Sequence, residues 1–176
     1  MPKITNVVAI ADLNTILDLK RIEELLPMAQ YIPQKFSGLL LRILYPYKAH
    51  CQLYQNGKIT VNGARSEPDA RELVQRFAKI LASIGFTCTV TNYRVVNIVG
   101  NHAFSNRLHI EKFSTYFRLE YTPELFSGLA IKLNVGRAVL FPSGKCNFLG
   151  LKQSAHLSEA VREIQEMIDE FNKSLL

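Results

Sequence analysis

A chain of 176 residues, of which 48% are hydrophobic and 20% charged, is long enough to bury a core as one domain or two small ones. The formal net charge of +6 and the pI near 9.3 permit a polyanionic partner. Three cysteines without paired spacing argue against a disulfide framework or a zinc site, and neither a signal peptide nor a membrane-spanning apolar run is predicted. We therefore expect a soluble protein in a reducing compartment.

The first half of the chain predicts strands interrupted by one short and one long helix. Residues 3–11 are rich in Ile and Val and predict a strand, and the spacing of apolar residues over 18–26 predicts an amphipathic helix. Three further strands are predicted, at residues 36–45, 50–55 and 58–63. The last two are joined by Asn56-Gly57, which is a strong hairpin signal. Ser66 is the expected N-cap of the long helix, and Gly85 is expected to end it.

The second half repeats this order, most clearly in one stretch of the chain. Phe36-Ser37-Gly38-Leu39-Leu40-Leu41-Arg42-Ile43 returns as Phe126-Ser127-Gly128-Leu129-Ala130-Ile131-Lys132-Leu133, with a cation at the same place. The apolar positions of the long helix also return, as Ala160, Val161, Ile164, Met167, Ile168 and Phe171. The chain is therefore interpreted as a duplication of one structural unit.

Each copy is predicted to contain a strand, a helix, a three-stranded meander and a long helix. The first copy spans residues 1–88 and the second spans residues 89–176. A duplicated unit of this kind most simply makes a pseudo-two-fold α+β protein. We expect the meanders to join in one antiparallel sheet, with both long helices on the same side of it.

Alternation along the repeated strand separates a core face from a bare face. The core face is aliphatic in both copies, with Leu39, Leu41 and Ile43, then Leu129, Ile131 and Leu133. The bare face carries an aromatic residue, a glycine, a small or apolar residue and a cation, namely Phe36, Gly38, Leu40 and Arg42, then Phe126, Gly128, Ala130 and Lys132. A cation does not belong in a core without a partner, yet the face is too apolar for an ordinary solvated surface.

Charge is distributed unevenly between the predicted sheet and the predicted helices. Residues 25–66 contain five basic residues and no acid, and residues 125–157 contain four basic residues and no acid. The acids are concentrated in the helices. A basic and apolar face suits nucleic acid, because cations contact phosphates while the apolar middle contacts bases or sugars. A protein-binding sheet with incidental lysines is the alternative.

Several motifs occur in both copies: Asn-x-Val, Phe-Ser-Gly-Leu with a following cation, and Gly-Lys. Together with Gly63-Ala64-Arg65-Ser66-Glu67 and Tyr121-Thr122-Pro123-Glu124-Leu125-Phe126, they resemble the TATA-box-binding protein family over nearly the whole chain. The resemblance implies a saddle, in which one curved antiparallel sheet of about ten strands carries four helices on its convex side. The family is itself a standard example of minor-groove binding with wedge insertion and DNA bending.

The resemblance also implies a role for each repeated position. The DNA-intercalating wedges are Phe36, Tyr54, Phe126 and Phe141. The minor-groove contacts are Asn6, Val8, Asn97, Val99, Thr60, Asn62, Asn147 and Leu149. The phosphate contacts are Arg42, Lys58, Lys132 and Lys145. Pro123, Glu124 and Leu125 match the docking site of a transcription factor IIB-like protein, and residues 29–33 match that of a factor IIA-like protein.

The function implied is that of a general transcription factor that bends A·T-rich promoter DNA and nucleates assembly of a preinitiation complex. Double-stranded DNA, factors IIB and IIA and TBP-associated factors are the implied partners, and no cofactor or metal is expected. We expect the protein in the nucleus, or in the cytoplasm if its source is archaeal or a cytoplasmic virus.

Two alternatives stay open at this point. Gln52, Thr60 and Asn147 replace apolar residues of the family, and Tyr54 replaces a phenylalanine, so the chain could be a related factor with weakened or lost TATA binding that acts through protein partners. Some DNA-repair glycosylases carry a similar fold, but the catalytic region of those enzymes has no counterpart here. The four histidines lack metal-ligand spacing and no phosphate loop is present, so no enzyme is predicted.

Overall fold

The computed structural model describes residues 1–176 and follows the predicted order of elements. The first half contains β1 (Lys3–Asp12), α1 (Leu19–Leu25), β2 (Ala29–Tyr31), β3 (Leu39–Ile43), β4 (Ala49–Leu53), β5 (Lys58–Ala64) and α2 (Glu67–Ser83). The second half contains β6 (Thr91–Ala103), α3 (Ile110–Tyr116), β7 (Leu129–Lys132), β8 (Arg137–Leu140), β9 (Lys145–Leu151) and α4 (Ala155–Ser174).

The strands form one antiparallel sheet of nine strands in the order β2-β3-β4-β5-β1-β6-β9-β8-β7, which confirms the predicted α+β class. The count of nine agrees with the expected sheet of about ten strands, and the second copy has no counterpart of β2. After α3 the chain turns through Arg118 at φ +53°, and the Leu119 N–H donates to the Ser114 carbonyl at 2.8 Å. Residues 119–121 leave α3 in this way and do not pair as a strand.

Two compact units make up the chain, which we call the first unit (residues 6–96) and the second unit (residues 1–5 and 97–176). Strands β1 and β6 each contribute residues to both units. The boundary between residues 88 and 89 describes the sequence duplication, and it stays a prediction.

In the first unit, α2 packs against β5 and covers the predicted core face. Leu39 and Leu41 are buried there together with Phe77 of α2. The Ser66 Oγ accepts a hydrogen bond from the Asp69 N–H at 3.1 Å, which satisfies an otherwise free donor of the first helical turn. Gly85 lies at φ +100°, where glycine is favoured, and α2 ends just before it. Both helix-end predictions are confirmed.

In the second unit, α4 packs against β8 and β9 over a core with the same alternation. Its buried residues include Leu129, Ile131, Phe148, Ile164 and Phe171. The repeated strands begin three residues later than predicted, at Leu39 and at Leu129. No helix of the chain is both long enough and apolar enough to span a bilayer.

Candidate nucleic-acid interface

Two pairs of aromatic rings lie at the surface, one in each unit. In the first ring pair, Phe36 and Tyr54 have centroids 5.8 Å apart and planes at 73°. In the second ring pair, Phe126 and Phe141 have centroids 6.0 Å apart and planes at 72°. Phe36 is 39% exposed and Phe126 is 54% exposed, while their partners are half-buried. The sheet therefore does not absorb these rings into its core, and the structure brings together all four predicted wedge residues as two matched pairs.

The backbone holds the two ring pairs in the same way. The N–H groups of Lys35 and Phe36 donate to the Ile32 carbonyl, and those of Leu125 and Phe126 donate to the Thr122 carbonyl. At the other ring of each pair, the Tyr54 N–H donates to the Lys58 carbonyl and the Phe141 N–H to the Lys145 carbonyl, at 3.0 and 2.9 Å. Turns on both sides thus fix the position of each ring before any ligand binds.

A glycine two residues after Phe36 and after Phe126 leaves room for each ring. A Cβ atom on Gly38 would lie 2.6 Å from Phe36 Cε1. A Cβ atom on Gly128 would lie 2.6 Å from Val139 Cγ1, 2.7 Å from Phe126 Cε1 and 2.9 Å from Phe141 Cε1. These distances are too short for a real Cβ atom. The rings can therefore occupy their observed positions only because both residues are glycine.

Asn6 and Asn97 have the same hydrogen-bond arrangement in their own units. The Asn6 Oδ1 accepts from the Gly63 N–H at 2.9 Å, and the Asn97 Oδ1 accepts from the Gly150 N–H at 2.9 Å. Each side chain has its oxygen occupied by the backbone, so its Nδ2 amide group remains as the donor. Donors are what the minor groove of A·T pairs requires, since it displays only acceptors.

The bare face lies opposite the helix-covered core in each unit. It carries the remaining predicted groove contacts. Val8 and Val99 lie at β-bulges, where the register shifts between Val7 and Ala9 and between Ile98 and Gly100. Along β5 and β9 the buried residues alternate with residues of the bare face, namely Lys58, Thr60 and Asn62, then Lys145, Asn147 and Leu149. All predicted groove contacts are therefore at least partly accessible.

Cations border the bare face, and one of them was missed by sequence reasoning. Lys132 pairs in register with Arg137, so two cations lie side by side in the second unit. In the first unit Arg42 pairs with His50, whose pKa is lowered by burial and by the neighbouring guanidinium, so the imidazole is neutral at pH 7. Arg137 could have been found from the sequence, because it follows a tight turn that brings it back beside Lys132.

An acid also lies on the bare face, although the sequence places most acids in the predicted helices. Asp12 of β1 pairs in register with Lys58, and its carboxylate accepts from the Asn92 Nδ2 at 2.8 Å. Asp12 lines a shallow depression together with Tyr54, Lys58 and Arg94. The first unit is therefore less positive around its ring pair than its sequence suggested, and Arg94 is a second cation that the sequence reading missed.

The predicted partner site is a surface loop of the second unit. Pro123, Glu124 and Leu125 are all exposed, and Leu125 is 85% exposed. The corresponding segment of the first unit is β2, whose Tyr31 N–H donates to the Glu23 carboxylate at 2.7 Å. The two candidate docking segments therefore differ in structure, although they precede their ring pairs at the same place.

The histidines and cysteines supply no reactive cluster. Burial raises the pKa of the Cys146 thiol to about 12 and also raises that of Cys51 well above its usual value, so both thiols stay protonated. No three side chains of His, Cys, Asp or Glu lie close enough together to hold a metal ion.

Comparison with known proteins agrees with this geometry. The family model described as "Transcription factor TFIID (or TATA-binding protein, TBP)" matches residues 1–84 and 92–171. The chain is 34% identical to the TATA-box-binding protein of Saccharomyces cerevisiae, over 98% of this chain and 73% of that protein. It is 31% identical to the TATA-box-binding protein of Acetabularia peniculus, over 98% of this chain and 92% of that protein.

A solved structure is similar as well. The structure of Methanococcus jannaschii TBP superimposes with a TM-score of 0.84 at 27% identity, covering 96% of this chain and 98% of that one. Both copies of the duplicated unit are thus matched in sequence, and nearly the whole chain is matched in fold.

Proposed function

The chain belongs to the TATA-box-binding protein family, and on that premise we propose that it is a general transcription factor that binds and bends A·T-rich promoter DNA through the minor groove. Members of this family are DNA-binding transcription factors and not enzymes, so the prediction that the chain is not an enzyme is confirmed. We propose further that residues 1–88 and 89–176 are the two copies of the duplicated unit.

The observation that carries the proposal is the exposed ring pair in each unit. An apolar ring held rigidly at the surface, as Phe126 is, can enter a base step that DNA opens at a cost of a few kcal/mol. The cost is offset by the larger protein surface that contacts bent DNA. Each ring pair thus acts as one wedge, and the proposal assigns one kinked step to each unit.

Base preference follows from the groups beside the rings. Asn6 and Asn97 offer their Nδ2 N–H donors, which match adenine N3 and thymine O2. Val8 and Val99 offer apolar contact, which leaves no partner for the amino group of guanine. Lys58, Lys145 and the cations around Arg42 and Lys132 supply the phosphate contacts, which add affinity without reading sequence. The proposed preference is therefore for A·T pairs at the positions that these asparagines face.

Partner binding is proposed at the loops that precede the ring pairs. The exposed Leu125 side chain, flanked by Pro123 and Glu124, suits docking of a factor IIB-like protein. The β2 segment suits a factor IIA-like protein, and TBP-associated factors are further proposed partners. Assembly of a preinitiation complex would then follow DNA binding, and the nucleus is the proposed compartment because the similar proteins include eukaryotic members of the family.

A salt series on two duplexes tests the proposal. We expect the protein to bind an A·T-rich duplex more tightly than a G·C-rich one, with affinity falling steeply as salt rises. Lys132→Gln combined with Arg137→Gln should flatten the slope of log Kd against log salt by about 2, because each phosphate contact contributes about 0.9. Fluorescence anisotropy gives the affinities, and the variant should weaken both duplexes alike.

A matched control uses cations far from the bare face. Arg162→Gln combined with Lys173→Gln removes the same charge from α4, and it should leave the slope near that of the wild type. Equal and negligible binding to both duplexes by the wild type would reject the proposal. That result would favour the alternative, a related factor that acts through protein partners.

The seat of the second ring pair offers an independent check. Gly128→Ala is expected to weaken binding to the A·T-rich duplex about tenfold, because its Cβ would displace the rings of both Phe126 and Phe141. The thermal midpoint should change little, since the displaced rings border solvent. Ser127→Ala, on the exposed neighbouring residue, is the control and should bind like the wild type. Unchanged affinity of Gly128→Ala would show that ring position does not matter for binding.

A further inference from the structure

We infer that Gln52, Asn101 and Asn147 let the protein accept a G·C pair beside each opened base step, within an interface that otherwise requires A·T. The inference rests on the proposed function and adds to it the class of DNA site that the protein tolerates. It is carried by the position of these carboxamides, by their free hydrogen-bonding groups and by the chemistry of the minor groove.

The three carboxamides lie in the row of the bare face nearest to each ring pair. In the first unit this row runs across Leu40, Gln52, Thr60 and Ile10. In the second unit it runs across Ala130, Val139, Asn147 and Asn101. Gln52 and Val139 each lie two residues before the second ring of their pair, on the same side of the strand. Each row therefore faces a base pair next to the step that the rings are proposed to open.

These carboxamides differ from Asn6 and Asn97 in what they leave free. The oxygens of Asn6 and Asn97 each accept a hydrogen bond from the backbone, from the N–H groups of Gly63 and Gly150, which fixes the amide plane and leaves the NH2 group as the donor for a base. The side chains of Gln52, Asn101 and Asn147 form no hydrogen bond within the chain; Asn101 and Asn147 are exposed, and Gln52 is partly exposed. Each can turn its amide plane and present either an oxygen or an NH2 group to a base.

The minor groove distinguishes the two kinds of base pair by one group. A·T pairs display only acceptors, whereas G·C pairs add the 2-amino donor of guanine. Against an apolar floor that amino group would be desolvated without a partner, which weakens binding. A free carboxamide oxygen removes the penalty, and the same side chain serves an A·T pair by donating. Tolerance of both pairs, and not a preference for G·C, is the expected outcome.

The duplicated units keep this property with different residues. Gln52 and Val139 are equivalent positions, as are Thr60 and Asn147, because both pairs are counted from matching turns. The carboxamide lies on β4 in the first unit, and the two of the second unit lie on β9 and β6. Each unit therefore has at least one carboxamide in its row, although the two rows are built from different side chains.

Inosine isolates the group in question, because an I·C pair differs from G·C only by the 2-amino group and the one Watson–Crick hydrogen bond that this group donates. Each position of an A·T-rich duplex is replaced in turn by G·C and by I·C, and Kd is measured for the full chain by anisotropy. For the wild type we expect two positions at which G·C and I·C bind equally. At other contacted positions, including those facing Asn6 and Asn97, G·C should bind at least about fivefold more weakly than I·C.

Nearly isosteric variants then test the residues. Gln52→Met should make G·C at least about fivefold weaker than I·C at one tolerant position, and Asn147→Leu with Asn101→Leu should do so at the other. Gln75→Met and Asn172→Leu, on the exposed sides of α2 and α4, are the matched controls and should leave both positions tolerant.

Two outcomes would overturn the inference. The inference is rejected if the wild type has no tolerant position, or if the variants leave tolerance unchanged. In either case, binding to the A·T and I·C duplexes would still support the proposed function. Failure to bind any of the duplexes would instead reject the proposed function, and this inference with it.

Discussion

Replacing Phe126 and Phe141 together by alanine is expected to weaken binding to an A·T-rich duplex by at least about 30-fold and to remove most of the bend at one step. Stacking of an aromatic side chain on a base is worth about 1–3 kcal/mol, so the two rings together contribute about 2–6 kcal/mol. The bend should fall with the affinity, because without the wedge nothing keeps the step open. Anisotropy measures the affinity, and energy transfer between the duplex ends measures the bend.

Leu125→Ala is the matched control for this double variant. Leu125 precedes Phe126, is 85% exposed and lies in the proposed docking loop. The control should bind and bend DNA as the wild type does while weakening binding of a factor IIB-like protein. The double variant should keep a thermal midpoint near that of the wild type, since Phe126 is exposed. If it still bends DNA fully, the second ring pair is not a wedge.

Phe148→Ala is expected to destabilise the fold and leave the DNA-binding surface intact. It should lower the free energy of unfolding by about 3–5 kcal/mol. Phe148 is fully buried on β9, and its neighbours across the ladder are Gly100 and Ala138. Those two neighbours are too small to fill the space that the ring leaves, so a cavity remains. For a chain of this size the loss corresponds to a fall of roughly 6–20 °C in Tm. Thermal and denaturant unfolding followed by circular dichroism measure it.

Phe148→Leu separates loss of volume from loss of the ring. The leucine fills most of the cavity, so the destabilisation should be about 1 kcal/mol. Below its own Tm, Phe148→Ala should still bind the A·T-rich duplex, because the residue points away from the bare face. A Phe148→Ala protein as stable as the wild type would mean that the core of the second unit collapses around the missing ring.

Much of the candidate interface could be predicted from the sequence because the duplication provides an internal control. A phenylalanine followed by glycine and a strand occurs twice, and chance does not place Phe36 and Phe126 in the same context with a cation at the same following position. Helix ends were predictable for a local reason, since Ser66 and Gly85 act within one turn of the chain. The structure places Tyr54 beside Phe36 and Phe141 beside Phe126. Intercalation of these two rings into DNA stays a prediction.

The features of the interface that the sequence did not predict depend on residues far apart in the chain. The pairing of Asp12 with Lys58 depends on the register between β1 and β5. The occupied oxygens of Asn6 and Asn97 depend on backbone N–H groups more than fifty residues away. No local pattern reports such partners, so the charge of the bare face and the donor character of the asparagines were not foreseeable.

Alternation and repetition along the chain were enough to identify the α+β class, the duplicated unit, the aliphatic core face and the positions of Phe36 and Phe126, because these follow from side-chain periodicity within single elements. The choice of Tyr54 and Phe141 as their partners came from the family resemblance. The strand number, the side-by-side placement of Lys132 with Arg137, and the difference between asparagines held by the backbone and free carboxamides arose only once strands had paired. Strand pairing determines which polar atoms form hydrogen bonds with the backbone and which remain free for a ligand. The paired residues are far apart in the sequence, so no local pattern predicts them.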